Sequence, residues 1–425
     1  MMVIFSELKT LTSSQRKVVI ASFLGWMLDA FDFFILVFVL KDIAQEFGTN
    51  VEAVTVAILL TLAMRPVGAL LFGLAADRFG RRPVLMINVL LYSLLEFASG
   101  FAPSLMVLIA LRALYGIAMG GEWGVGASLT METIPEKARG IVSGVLQAGY
   151  PAGYLLASIV FFALYPLIGW RGMFMVGAVP ALLVLYIRSH VSESPAFLER
   201  THAKADGGII AAIRGNIRLF IWAVVLMTAF NFFSHGTQDI YPTFLETQRG
   251  LSSHAVGAIA VVYNIGAIIG GLTFGSLSQR LGRRRAIVIA ALLALPLVPL
   301  WAYATSPYLL AAGAFFMQFA VQGAWGVVPV HLNELSPEAV RGTFPGLTYQ
   351  LGNLLASANA TMQAGIAMHY GGDYALALAS VVAVVALAVA LLAGFGPEAK
   401  GIRFGTSPGR DTGTLLRAGL LRGEK

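Results

Sequence analysis

Long apolar blocks that return at intervals of roughly 30–35 residues constrain this chain most, because about 20 mostly apolar residues suffice to cross a bilayer. They occupy positions 18–40, 52–76, 84–102, 106–131, 141–166, 172–188, 218–242, 254–275, 286–305, 307–331, 343–369 and 373–396. The pattern predicts an all-α polytopic membrane protein with about twelve transmembrane helices. Of the 425 residues, 57% are hydrophobic and 12% are charged, too little charge to coat a soluble domain of this size. Gly and Pro recur inside the blocks, as close helix packing and kinks allow.

The net charge of +7 does not point to nucleic acid once its location is considered. Most Lys and Arg lie in the two tails and in the loops that follow even-numbered spans. Lys41, Arg171 and Arg249 lie on the other side, and Arg65 and Arg112 fall inside blocks. The positive-inside rule then places both termini in the cytoplasm, with some attraction to anionic lipid. A plasma membrane is expected, the inner membrane in a bacterium, and the chain is expected to act as a monomer. The chain has no cysteine, which excludes disulfides and thiol chemistry. The first block has no small-residue cleavage site after it, so it reads as a span and not a signal peptide. No phosphate-binding loop, paired metal ligands or nucleophile elbow occurs, so neither enzyme activity nor a metal or cofactor is expected.

The chain repeats itself. Gly73, Arg78, Gly80, Arg81 and Arg82 recur as Gly275, Arg280, Gly282, Arg283 and Arg284, each pair 202 residues apart, as 275 is from 73. At the same offset Gly121, Trp123, Gly124, Glu132, Pro135, Glu136, Arg139 and Gly140 recur as Gly323, Trp325, Gly326, Glu334, Pro337, Glu338, Arg341 and Gly342. An even number of spans per half makes the halves parallel, related by an axis along the membrane normal. The expected organisation is a tail at 1–17, six helices at 18–190, a linker at 191–217, six helices at 218–396 and a tail at 397–425.

Polar residues inside the spans mark the candidate site. Asn231, His235, Gln238 and Asp239 stand at i, i+4, i+7 and i+8, on one helix face. Lipid rejects such a face, and ionisable groups inside spans usually line a substrate or proton path. The offset sets Asp29 and Asp32 opposite Asn231 and Ser234, although a solvated position near the outer interface would also suit Asp32. Arg65 in mid-span costs roughly 2.5–3.5 kcal/mol unpaired. Its partner is expected to be Asp29, Asp32 or a substrate anion. Arg112 and Glu122 are ten residues apart, about 15 Å along a helix, and so do not pair directly. Glu96 is a weaker case. Gln350 with Asn353, and Gln147 with Tyr150, are three apart and share faces, either for a small polar ligand or for helix–helix bonds. His331 reads as a solvated interfacial histidine.

The loop Gly73-Leu-Ala-Ala-Asp77-Arg78-Phe-Gly80-Arg81-Arg82 resembles the signature of the major facilitator superfamily. Pro135-Glu136-Lys-Ala-Arg139-Gly140 and the fourth-span Arg112-x-x-x-Gly116-x-x-x-Gly120 strengthen the match. The resemblance implies the major facilitator fold, two six-helix bundles around a central cavity working by alternating access. Asp77, Arg78, Gly80, Arg81, Arg139, Arg280 and Arg341 are then gating candidates, with charge pairs that hold one state and break in the other. Gln279 replaces the aspartate in the second half, so the two gates should differ in strength.

The stretch Asn231-x-x-Ser234-His235-x-Thr237-Gln238-Asp239-x-x-x-Thr243 resembles the seventh-span signature of yeast-type lactate/pyruvate permeases, within the sialate:proton symporter family. That resemblance implies proton-coupled uptake of short monocarboxylates, with the proton as coupling ion. Arg65, Gln350 and Asn353 look like functional positions of those permeases. On this reading Arg65, Gln350 and Asn353 hold the carboxylate, and Asn231 holds the 2-hydroxyl or 2-keto oxygen. Gln238, Tyr150 and Gln147 line the same site. His235 and Asp239 form the proton pair, with Asp29, Asp32 and Glu122 as further proton-coupling candidates. The alternatives are a sialic acid or other sugar-acid symporter, a drug antiporter and a non-transporting nutrient sensor. Gly149-Tyr150-Pro151-Ala-Gly153 only partly fits the antiporter pattern, and the tails are short for a sensor.

Overall fold

The computed structural model describes residues 7–202, 209–402 and 404. Parts of the expected tails and linker, residues 1–6, 203–208, 403 and 405–425, lie outside the described residues. Every regular element among the described residues is helical, and ten helices are long and apolar enough to cross a membrane. Two further spans come from breaks. The stretch Glu136–Val176 is interrupted at Gly169, whose φ of 62° leaves the helical region, so the fifth span ends there. The sixth begins after it and continues into Ala181–His190. The eleventh is split into Phe344–Ala356 and Asn359–His369, each short by itself. The twelve spans fall on the twelve apolar blocks.

Local chemistry sets the ends of the helices. Asn50 accepts from Ala53 N at 2.8 Å and starts the second span, Val51–Phe79. Thr12 and Gln15 form a reciprocal capping box ahead of the first span, Ser13–Phe38. Gly80 ends the second span and starts the third, Arg81–Ser99, at a φ of 105° that a side chain resists. Gly282 does the same at 98° between the eighth, Ser253–Leu281, and the ninth, Arg283–Tyr303. The repeat seen in sequence is thus a repeat of helical hairpins.

Within each half the tightest helix pair is built on small residues. A Cβ on Gly116 or Gly120, in the fourth span Leu105–Thr133, would strike the backbone of Thr61 or Arg65 in the second. Gly266 and Gly270 meet Phe315 and Phe319 of the tenth span, Pro307–Leu335, in the same way. Backbones approach this closely only without side chains between them. Outside, the polarity of a soluble protein is inverted: Phe162 and Phe395 are 86% and 88% exposed. Hydrocarbon accepts that surface at no cost, and water does not.

Candidate functional site

A cavity of about 280 Å³ lies between the two halves. The first, second and fifth spans supply one wall, with Arg65, Gln147 and Tyr150 as its polar groups. The seventh span, Ile217–Gln238 continuing through Tyr241–Thr247, supplies Asn231, Ser234, His235, Gln238 and Asp239. Pro242 has no N–H to bond back into the previous turn, so the helix breaks just beyond Asp239. Trp26, Phe33, Phe34, Trp325 and Tyr349 complete an aromatic lining.

His235 Nδ1 lies 3.1 Å from Asp239 Oδ1, and its Nε2 lies 2.9 Å from Asn353 Oδ1. The His235 and Asp239 side chains are 31% and 34% exposed, unlike the other acids within the spans discussed here. Asn231 Nδ2 donates to Met227 O at 2.7 Å, which leaves its carbonyl oxygen and its second N–H for a ligand. Arg65 is 3% exposed, packs on Met119 Sδ and lies 5.3 Å from the Phe33 ring centroid. Among the described residues no carboxylate stands within ion-pair distance of it. Of the partners expected for Arg65, neither Asp29 nor Asp32 is in contact.

The tenth span contributes amides that the sequence reading passed over. Gln238 Nε2 donates to Gln318 Oε1 at 2.8 Å, and Gln318 Nε2 donates to Thr237 Oγ1 at 2.9 Å. Gln322 Nε2 donates to Ser234 Oγ at 3.1 Å and also lines the cavity. Gln318 and Gln322 are four residues apart on one helix face, which was the available signal.

Other candidates are not brought to the cavity. Gln350 is buried one turn from Asn353, and its Oε1 has no partner among the described residues. Asp29, Asp32 and Glu122 are buried inside the first half, and none of their carboxylate oxygens has a hydrogen-bond partner among the described residues. Burial of Asp32 removes the solvated position considered for it. Arg112 does pair, with Glu96 at 2.6 Å and with Ser99 Oγ at 2.7 Å, because the third and fourth spans pack side by side. His331 is not solvated: it is 1% exposed, edge-on to Trp222 at 6.1 Å between ring centroids. The tenth span packs inward there, so closeness to its end does not mean contact with water.

The halves meet at the end that carries the basic loops. Asp77 Oδ1 accepts from Gly342 N at 2.8 Å, and its Oδ2 accepts from Thr343 N at 3.0 Å and Thr343 Oγ1 at 2.7 Å. These N–H groups lie at the start of the eleventh span, where a negative charge is favoured, and that of Thr343 is shared with Val340 O at 3.0 Å. Arg81 lies 3.2 Å from Asp77 and grips Glu132 with two bonds of 3.1 and 3.0 Å. Arg341 and Arg139 reach across to Glu132 and Glu334 at 3.7 and 3.6 Å. The second-half counterpart of Asp77 is neutral: Gln279 Oε1 accepts from Gly140 N at 3.3 Å. Arg78 and Arg280 are exposed, and Gly80 is the corner described above. Among the described residues, the hydrogen bonds joining the two six-helix halves all lie at this end.

Comparison with known proteins agrees with this geometry. The family described as Major Facilitator Superfamily matches residues 22–252, and that described as Sugar (and other) transporter matches residues 207–401. The chain is 30% identical over 390 residues to a carboxylic acid transporter protein homolog of Saccharomyces cerevisiae, covering 86% of this chain and 63% of that protein. It is 28% identical over 392 residues to the sialic acid transporter NanX of Escherichia coli, covering 91% and 95%. It is also 28% identical over 415 residues to a probable 4-methylmuconolactone transporter of Cupriavidus pinatubonensis, covering 94% of each. The fold matches that of the proton:xylose symporter XylE with a TM-score of 0.73 at 19% identity, covering 92% of this chain and 98% of that one. The chain belongs to the Major Facilitator Superfamily and is a membrane transporter, not an enzyme.

Proposed function

We propose that the protein carries a short monocarboxylate together with a proton, by alternating access, with lactate as the type substrate. The observation that carries this reading is the pairing of charges in one cavity: Arg65 without a carboxylate, and the His235–Asp239 pair. With Asp239 ionised and His235 neutral, the empty site has net charge zero. A proton alone brings it to plus one, and an anion alone to minus one. Both together return it to zero. Closing a cavity over net charge is expensive, and closing it over none is not. The empty and doubly loaded forms therefore cross, the singly loaded forms stall, and symport follows.

Asn231 keeps a carbonyl oxygen that can accept from a 2-hydroxyl and a second N–H that can donate to a 2-keto oxygen. Asp77 and the arginines around it act as the gate at the basic end, which the positive-inside rule assigns to the cytoplasm along with both termini. In that gating role the present arrangement is closed to the cytoplasm. Gln147 and Tyr150 line the site, while Asp29, Asp32 and Glu122 lie buried in the first half, outside the cavity lining.

The cavity is larger than a three-carbon acid fills, and this favours a sugar acid such as sialic acid as the second reading. Reconstituted vesicles decide between them. Labelled lactate uptake should rise when the outside is acid and should be competed by lactate, not by sialate. Uptake indifferent to a pH gradient would end the symport reading, and labelled sialate uptake that cold lactate does not compete would replace the substrate.

A further inference from the structure

His235 stands between two oxygen atoms, Asp239 Oδ1 at 3.1 Å from Nδ1 and Asn353 Oδ1 at 2.9 Å from Nε2. A neutral imidazole has one N–H, so only the protonated ring donates to both. Carboxylate is the stronger acceptor. The neutral ring therefore keeps its proton on Nδ1 and turns the Nε2 lone pair toward Asn353. Two lone pairs facing each other at that separation repel. The least costly relief is a half-turn of the Asn353 carboxamide about χ2, a broad torsion, which brings Nδ2–H to Nε2.

That half-turn changes what a substrate meets. Asn353 lines the cavity, and its Nδ2 has no hydrogen-bond partner among the described residues. With His235 protonated, the NH2 group is free to donate to a carboxylate. With His235 neutral, the NH2 is engaged and the carbonyl oxygen faces the cavity, where it repels a carboxylate. We propose that Asn353 is a two-position amide switch that makes carboxylate affinity depend on protonation of His235. The switch rests on the proton-symport reading above and adds a hydrogen-bond link between the proton site and the carboxylate site to the charge coupling argued there. The other charged and titratable groups facing the pair are Arg65 of the second span, Tyr150 of the fifth, Tyr263 of the eighth and Tyr349 of the eleventh. The hydrogen-bond partner of Nε2 is Asn353 Oδ1.

The full-length protein in detergent micelles tests this, with lactate as probe and the cavity-wall Trp26 and Trp325 as fluorescent reporters. Exchanging a donor for an acceptor against a carboxylate should weaken lactate binding about 10- to 100-fold between acid and alkaline pH. Asn353→Ala should bind weakly at every pH, with that ratio reduced about fivefold or more and only the direct charge effect of His235 remaining. A residue that merely touches substrate would lower affinity equally and leave the ratio intact, and that result overturns the switch. A second arm needs no substrate. In protein selectively labelled with 15N at asparagine, the Nδ2 resonance missing from Asn353→Ala should move with the titration of His235 and stand still in His235→Gln. A resonance that ignores pH overturns the switch even if lactate is the cargo. A moving resonance without lactate binding upholds the switch and refutes lactate as the cargo.

Discussion

Replacing Asp239 by Asn should separate two activities that the intact protein performs together. The substitution removes the negative charge that balances Arg65 and leaves His235 without its ion-pair partner at 3.1 Å. The empty site then carries plus one, and the site with an anion but no proton carries zero. The loaded carrier can cross without a proton, and the empty carrier cannot return. Breaking a buried pair typically costs about 3–5 kcal/mol. The Asp239 side chain is 34% exposed to the cavity. Solvent screening lowers the penalty to about 2–3 kcal/mol, felt only when the cavity closes. That slows the empty return about 30- to 150-fold. The assay compares net, pH-driven lactate uptake with lactate–lactate counterflow in the same proteoliposomes. Net uptake should fall by that factor while counterflow stays within about threefold of the unsubstituted protein. Equal loss of both would show that Asp239 only shapes the site, and unchanged net uptake would remove it from coupling altogether.

Three further outcomes follow from the geometry. Asn231→Leu should raise the lactate KM about tenfold, the worth of one hydrogen bond, as competition curves would report. Asp77→Asn weakens a carboxylate cap that now takes three hydrogen bonds from Gly342 and Thr343. Because the chain has no cysteine, a single Gln147→Cys reporter in the cavity reads the gate cleanly, and its labelling from the basic side should accelerate in Asp77→Asn. At the opposite end, burial pushes the Glu46 carboxyl up, but bonds from Arg171 and Trp170 outweigh it and hold the group below its usual range. Its contribution is therefore present above the ordinary Glu pKa and fades as pH falls through the lowered folded value. With 44% of the side chain exposed, it is worth well under about 1 kcal/mol, so melting temperatures of the protein and Glu46→Gln should differ slightly near neutrality and converge in acid.

How much of this was legible in the sequence depends on the kind of information each residue carries. Span length is set by bilayer thickness, so twelve apolar blocks already announced twelve helices. The closeness of His235 and Asp239 is equally local: two residues four apart on a helix must meet. The Gly80 and Gly282 corners were visible as repeated glycines. What the offset of 202 residues could not supply was the direction each helix faces. It gave Asp29 and Asn231 the same depth, yet Asn231 lines the cavity and Asp29 is turned into its own half. Contacts between spans were hidden for the same reason. Arg112 was weighed against Glu122 on its own helix, while its partner Glu96 sits on the neighbouring one. Gln318 and Gln322 escaped notice because single amides in an apolar stretch look structural until a second helix presents Gln238 and Ser234 to them.

Charge neutrality of the moving states is the central claim, and thermodynamics tests it without any mutation. In proteoliposomes where ΔpH and membrane potential are set independently with ionophores, one proton per monocarboxylate predicts a lactate gradient that grows about tenfold for each unit of ΔpH and does not respond to membrane potential. Lactate accumulation that follows the membrane potential, or that forms without a pH gradient, would contradict it.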